Sequence, residues 1–250
     1  AAKGHHVTFG YLPYADWQKP VNKFDLRRQD LYTKKVFEDA EKYMDIVSFL
    51  PIHPSYKSIP EELHHIIEEV STYDTQYTLQ VEEFDQNDPL FKMRMERNES
   101  FARLLYSWLK NNRPDYVIIP NGTIQEMGVA YRIAKWMNIP VTTYEFGEQR
   151  KRIWIAQNRE VMRQETDDLW EIRKNIQVTD EELEKVKAMF GARQHANIWE
   201  NFSRRWQGSD RVGSEKVRES LKLDDRPVVF LATNVLGDSL TLGRHTFSKN

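Results

Sequence analysis

The sequence predicts an α/β fold: a parallel sheet with helices on both faces and a helix-rich middle. Three observations predict it. Residues 114–147 read as strand, helix and strand with tight joints, and such a unit needs parallel strands. Further short apolar runs alternate with helical patterns along the chain. Between them, residues 60–112 carry two helix patterns in succession.

The elements follow in order. His6 to Leu12 reads as a strand, and Pro13 to Pro20 as a loop holding Tyr14, Asp16 and Trp17. Leu26 to Met44 reads as a helix, and Asp45 to Leu50 as a short strand closed by Pro51. Pro60, Glu61 and Glu62 open a helix, since Pro is tolerated in a first turn and acids suit the positive end of the dipole. It runs to Val70, with a continuation to Gln80. Asp88-Pro89 opens a longer helix, Leu90 to Asn111. Its Phe91, Met95, Phe101, Leu104, Leu105, Trp108 and Leu109 make one apolar face.

The central unit comes next. Asp115 to Pro120 is an apolar run, broken by Asn121-Gly122-Thr123. Thr123 with Glu126 three residues on predicts a capping box. Ile124, Met127, Ala130, Tyr131, Ala134 and Met137 recur at helical spacing, Asn138 ends the helix, and Ile139 to Tyr144 is the second strand. Glu145-Phe146-Gly147 follows, then the basic cluster Arg150-Lys151-Arg152. A helix is predicted over Ile153 to Lys174. Thr179 with Glu182 is a second cap signature, starting a helix to Gly191, and a further helical pattern reaches Trp206. Ser214 to Leu221 is a short helix and Val228 to Thr233 a buried strand.

The chain has 250 residues, 40% hydrophobic and 30% charged, enough for one large or two small soluble domains. The net charge of −2 argues against a general nucleic-acid binder. The absence of cysteine removes disulfides, thiolate metal sites and cysteine nucleophiles. The pairs His5-His6 and His64-His65 lack a second ligand set at helical spacing, so no metal site is predicted. The start reads as a helix end, with Gly4 just past it. The close comes soon after a new strand. Together they predict a fragment that lacks its first βα unit.

Three pieces carry a resemblance. Lys3-Gly4-His5-His6-Val7-Thr8-Phe9, the central PNGTIQEMG of Pro120 to Gly128, and the terminal NVLGDSLTLGRHTFS of Asn234 to Ser248 appear in that order. With Glu215 to Leu231, they are similar to two-Rossmann (GT-B type) glycosyltransferases, in particular to proteins of bacterial capsule or surface-polysaccharide biosynthesis. The resemblance implies a Rossmann-like N-terminal, acceptor-side domain over 1–207 and a linker over 208–225. Residues 226–250 would then be the first strand and loop of a nucleotide-sugar domain. It implies sugar transfer from a nucleotide-sugar donor, taken as substrate with no covalently bound cofactor, to a glycan acceptor. It also implies a cytoplasmic protein, at the inner face of the membrane if peripherally attached, and an inactive fragment when the second cleft wall is missing. A nucleotide-sugar epimerase on the same scaffold is the alternative, with Glu126, Glu145 and His245 as its acids and histidine. The third reading is a non-catalytic Rossmann-like binding module. Oligomeric state is left open.

Ligands of such sheets bind beyond the carboxyl ends of the strands, which selects the candidate residues. Asn121, Gly122, Thr123 and Glu126 could hold a sugar hydroxyl or a phosphate, or simply build a turn and cap. Glu145 beside Gly147 could be a general base or a sugar ligand, or a solvated loop acid. Asp16 is the second candidate base. Arg150 and Arg152 could neutralise a phosphate or an acidic glycan. Asn234, Gly237, Asp238 and Ser239 follow the last strand as a diphosphate-facing turn. Trp199, Phe202 and Trp206 read as helix packing.

Overall fold

The structure, a computed structural model, describes residues 3–16, 18–51, 58–147, 152–194 and 212–231. Their described residues form two compact units, one of 3–144 with 155–163 and one of 145–154 with 164–231.

In the first unit, β1 (Thr8–Tyr11) lies parallel to β2 (Asp45–Ser48), with Thr8 opposite Asp45 and Tyr11 opposite Ser48. Between them in sequence comes α1 (Lys23–Phe37). Asn22 starts it: its side-chain oxygen accepts the Asp25 N–H at 2.8 Å, which satisfies a donor that the helix itself leaves open. Leu26 of α1 joins Tyr11 and Leu50 in a small core, flanked by Val21, Phe37 and Ile46. The helix ends at Phe37, earlier than the sequence pattern indicates, and a 3₁₀ turn covers Ala40–Lys42.

The main core is helical. It is built by α2 (Glu61–Leu79), α3 (Pro89–Asn112) and α4 (Gln125–Trp136) packed with β3 (Val117–Pro120) and β4 (Val141–Phe146). Leu63, Ile67 and Val70 of α2 meet Phe101, Leu105 and Leu109 of α3 and Val129 and Ile133 of α4. Each set recurs at three- and four-residue steps, as one buried helix face must. Asp88 caps α3, accepting the Leu90 N–H at 2.7 Å, and Pro89 occupies its first turn. The strands β3 and β4 are parallel, with Val117 opposite Val141 and Pro120 opposite Tyr144.

The mixed α/β class with parallel pairing is therefore present, but the strands divide into two small sheets, β1-β2 and β3-β4-β5. The third strand of the second sheet, β5 (Ile153–Gln157), falls where the sequence reading places a helix. It folds back antiparallel: Gly147 N–H donates to the Arg152 carbonyl at 3.0 Å and Asn158 N–H to that of Val141 at 2.7 Å. Ile153-Trp154-Ile155 is a β-branched and aromatic run, and an available strand edge decides its state. The helix predicted there begins later, as α5 (Asp167–Arg173).

The second unit also carries α6 (Asp180–Gln194) and α7 (Ser214–Ser220). The capping box at α6 forms: Glu182 accepts the Thr179 N–H at 2.9 Å, and Thr179 Oγ1 accepts the Glu182 N–H at 3.3 Å. The predicted strand from Val228 does not form among the described residues. Val229, Phe230 and Leu231 stand exposed, and among the described residues no strand pairs with them; without a ladder a β-rich run has no partner for its backbone groups. The helical pattern to Trp206 and residues 208–211 and 232–250 lie outside the described residues.

Candidate functional site

The turn from β3 into α4 is the most tightly specified part of the first unit. Asn121, Gly122 and Gln125 all have left-handed backbones, with φ of 58°, 84° and 54°. Only glycine takes that region freely, so the other two must be held there. Asn121 holds itself: its side-chain oxygen accepts the Thr123 N–H at 3.0 Å, an Asx turn. Gly122 is required twice over, because a Cβ there would also lie 2.5 Å from Thr143 Cγ2. A Cβ on Gly128 would collide with the Thr123 carbonyl, so the first turn of α4 sits directly on the loop.

The capping box predicted for Thr123 and Glu126 is not made. The residue before α4 is Ile124, which offers no side-chain cap. Thr123 Oγ1 instead donates to Glu160 Oε2 at 3.1 Å. The cap comes from another helix: Asp74 Oδ1 of α2 accepts the Gln125 N–H at 2.6 Å. The turn is buried, so neighbouring elements supply the groups that the local signature assigns to its own residues.

Asp74 is wholly buried among helices. Asn98 of α3 donates to its Oδ2 at 2.9 Å and to Ser71 Oγ at 3.0 Å. Burial pushes the Asp74 carboxyl up to about 6, against the hydrogen bonds from Asn98 and Gln125 and the charge of Arg94. Arg94 is itself fully buried, and desolvation draws its guanidinium below the ordinary arginine value despite Asp74. Asn98 Oδ1 is buried without a hydrogen-bond partner among the described residues.

The opposite side of the turn is held by Arg132 of α4. Its Nε donates to Glu69 Oε2 at 3.0 Å and its Nη2 to Glu160 Oε1 at 3.0 Å. Its Nη1 faces the carbonyls of Gly122 and Thr123, both at 3.4 Å, and of Gly128 at 3.3 Å. The Tyr73 ring lies 5.6 Å from the guanidinium carbon, and the Tyr73 hydroxyl donates to Glu69 at 3.0 Å. Burial works to raise the Glu69 carboxyl, but the charge and hydrogen bonds of Arg132 outweigh it and hold Glu69 below its usual range. Burial and the Glu69 charge push the Tyr73 hydroxyl up.

The structure thus gathers Asn121, Gly122, Thr123 and Glu126 at one strand end, Glu126 nearly buried. Asp16 lies in the loop after β1. Its carboxylate accepts the Gln18 N–H at 2.9 Å, and its carbonyl accepts from Arg97 Nη2 of α3 at 3.2 Å. Asp16 borders an open groove of about 780 Å³ between that loop and α1. Glu145, Gly147 and Arg152 belong to the second unit. Glu145 accepts the Phe146 N–H at 3.0 Å, and Gly147 pairs with the Arg152 carbonyl. Arg150, Asn234, Gly237, Asp238 and Ser239 lie outside the described residues.

Sequence reasoning missed Asp74, Arg94, Asn98, Arg132 and Glu160. A signal for three of them was present. Asp74 continues the stripe of Leu63, Ile67 and Val70, and Arg94 and Asn98 continue that of Phe101 and Leu105. A polar residue at a core position of an amphipathic helix marks a buried partner.

The chemistry of the turn follows from these contacts. A helix N-terminus is a ready anion site, and at α4 that place is filled by the Asp74 carboxylate. The turn is a rigid support at a strand end. The groups that could act on a ligand lie elsewhere, above all Asp16 on the loop after β1, at the open groove beside α1. Among the described residues no cluster of three or more histidine, aspartate or glutamate side chains could hold a metal ion. Comparison with protein-family models, with curated proteins and with solved structures finds no match for this chain.

Proposed function

We propose that the chain is the acceptor-side part of a GT-B type glycosyltransferase, which moves a sugar from a nucleotide-sugar donor to a glycan acceptor in bacterial surface or capsular polysaccharide assembly. The observation that supports it most is the parallel β3–α4–β4 unit with its braced strand-end turn, bearing the PNGTIQEMG motif of the sequence resemblance. A second parallel pair, β1 with β2, agrees with a Rossmann-like parentage.

In this reading the buried groups position, and the exposed Asp16 or the half-buried Glu145 acts. An inverting transfer needs a base near the acceptor hydroxyl, and Asp16 and Glu145 are the two carboxylates assigned to that choice. Asp16 sits on a loop that Arg97 ties to α3 through the carbonyls of Asp16 and Lys19, which fixes the backbone while leaving the carboxylate at the groove. Because Asp74 fills the α4 N-terminus, the departing diphosphate is assigned to Asn234 to Ser239, which lie outside the described residues and which the sequence alone reads as a diphosphate-facing turn.

The test uses the gene product that carries this chain. It is incubated with a panel of nucleotide sugars, and bound nucleotide and released nucleoside diphosphate are measured. Donor binding with slow diphosphate release is expected, and either Asp16→Asn or Glu145→Gln should abolish transfer while sparing donor binding. Absence of any nucleotide binding would overturn the proposal. Interconversion of the donor sugar without acceptor would replace transfer by epimerisation.

A further inference from the structure

The two parallel pairs of the first unit rest on one helical core. Leu12, just past β1, and Val47 of β2 pack on the same cluster as Val117 and Ile119 of β3. The pairs also run the same way. Arg97 of α3 donates to the carbonyls of Asp16 and Lys19 in the loop after β1. The next residue, Asn98, holds Asp74, which accepts the Gln125 N–H in the turn after β3. The carboxyl ends of β1 and β3 therefore meet a single turn of α3.

Each pair has an unused edge. The carbonyls of Val7 and Tyr11 accept from Asp45 and Phe49 on the β2 side. Backbone groups of successive strand residues point to alternate sides, so those of Thr8 and Gly10 point away from β2. In β3, Val117 and Asn121 donate to Pro140 and Tyr144 on the β4 side, so Ile118 and Pro120 turn their groups away from β4. Among the described residues no strand pairs with either of these edges. The sheet face turned from the main core is bare as well, with Ile118 66% and Phe9 42% exposed. Open edges of this kind, with apolar side chains beside them, are templates for a further strand.

We propose that one parallel strand, followed by a helix and lying ahead of β1 in the gene product, inserts between β1 and β3 and joins the two pairs in the order β2, β1, new strand, β3, β4. Gly4 selects that occupant over a strand from another molecule. Its φ of 83° is the left-handed conformation that a glycine just past a helix takes, which is how a crossover helix hands the chain to β1. A strand–helix–strand connection is right-handed and sets its two strands parallel in one sheet. Its helix then covers the face of Phe9 and Ile118. The βα unit expected from the sequence thereby gains a place, a direction and a register. Its strand exchanges backbone bonds with Thr8 and Gly10 on one side and with Ile118 on the other. Pro120 has no N–H to offer, so the ladder closes there. Sugar transfer plays no part in this joining or in its test.

Hydrogen exchange is followed at single amides in the gene product that carries this chain. The amides of Thr8, Gly10 and Ile118, which point to the join, should exchange as slowly as those of Phe9 and Ile119, which point to β2 and β4. All five should be at least about a hundredfold slower than unpaired amides. Ile118→Pro removes the one donor of β3 that faces the join and leaves the β3–β4 ladder intact. It should speed exchange at Thr8 and Gly10 by about tenfold, while Asn121, bonded to Tyr144, stays slow. Fast exchange at Thr8, Gly10 and Ile118 beside slow Phe9 and Ile119 overturns the proposal, as do unchanged Thr8 and Gly10 rates in the folded variant. If the variant does not fold, the parent's pattern decides alone. Protection that appears only as protein concentration rises would assign the edges to a second copy and overturn the proposal too.

Discussion

Glu69 and Asp74 stand on the same helix, α2, and both help to hold the turn after β3, yet their electrostatic settings are opposed. Glu69 is half-buried and meets the Arg132 guanidinium at 3.0 Å, with Tyr73 completing its shell. Asp74 is buried entirely and takes its hydrogen bonds from neutral donors, a backbone N–H and the Asn98 amide. The first carboxyl is held below its usual range and the second is raised to about 6. The difference shows that depth alone does not set the outcome. A close, hydrogen-bonded cation compensates burial at Glu69, whereas at Asp74 the hydrogen bonds of Asn98 and Gln125 and the charge of Arg94 do so only in part.

The pH consequences run in opposite directions. The lowered Glu69 contributes stability that is present above its ordinary 4.5 and is lost as pH falls through its folded value. The raised Asp74 contributes stability that is full below its ordinary 3.8 and is lost as pH rises through about 6. The shift from 3.8 to about 6 is worth roughly 3 kcal/mol. The two contributions together favour mildly acidic over neutral conditions.

Breaking the satisfied side should have the largest effect. Arg132→Met strips Glu69 and Glu160 of their shared cation and uncovers the turn carbonyls. A loss of about 3–5 kcal/mol is expected in urea unfolding at neutral pH. An unchanged midpoint and slope would show that the network adds nothing.

Asp74→Ala is expected to cost somewhat less, about 2–3 kcal/mol, because it orphans the Gln125 N–H and one Asn98 bond but also removes a poorly compensated charge. Asp74→Asn keeps an acceptor for Gln125 and should recover most of that loss. Equal losses for both would deny the capping role.

Gly122→Ala strains the turn itself without touching either carboxylate. It places a Cβ against Thr143 Cγ2 at a φ of 84°, and about 2 kcal/mol is expected. If the alanine protein unfolds like the parent, the left-handed turn is not enforced.

One signature read twice shows what was legible. Thr-x-x-Glu occurs at Thr123 to Glu126 and at Thr179 to Glu182. At the exposed start of α6 it forms the expected reciprocal box. At the buried start of α4 the hydroxyl is taken by Glu160 and the helix by Asp74. Local patterns decide where water is the competitor and yield where other elements reach in. For the same reason the apolar face of α3 could be read from spacing, while the identity of the partner for Asp74, distant in sequence, could not. Ile153 to Gln157 misled in the other direction. Its helix reading was overridden by the edge of β4, which no window of that segment contains. Of the candidate site, the strand-end residues Asn121 to Glu126 were legible from the break between strand and helix, but their roles as an internally braced turn were not.

The most direct test of this two-sided grip is urea unfolding of the parent and of Asp74→Asn across mildly acidic to weakly basic pH. The parent should lose about 2 kcal/mol between about pH 4.5 and about pH 8 beyond any loss in the variant, because only the parent carries the raised carboxyl. Parallel profiles for the two proteins would contradict the account, since Asp74 would then titrate no differently in the folded chain than in the unfolded one.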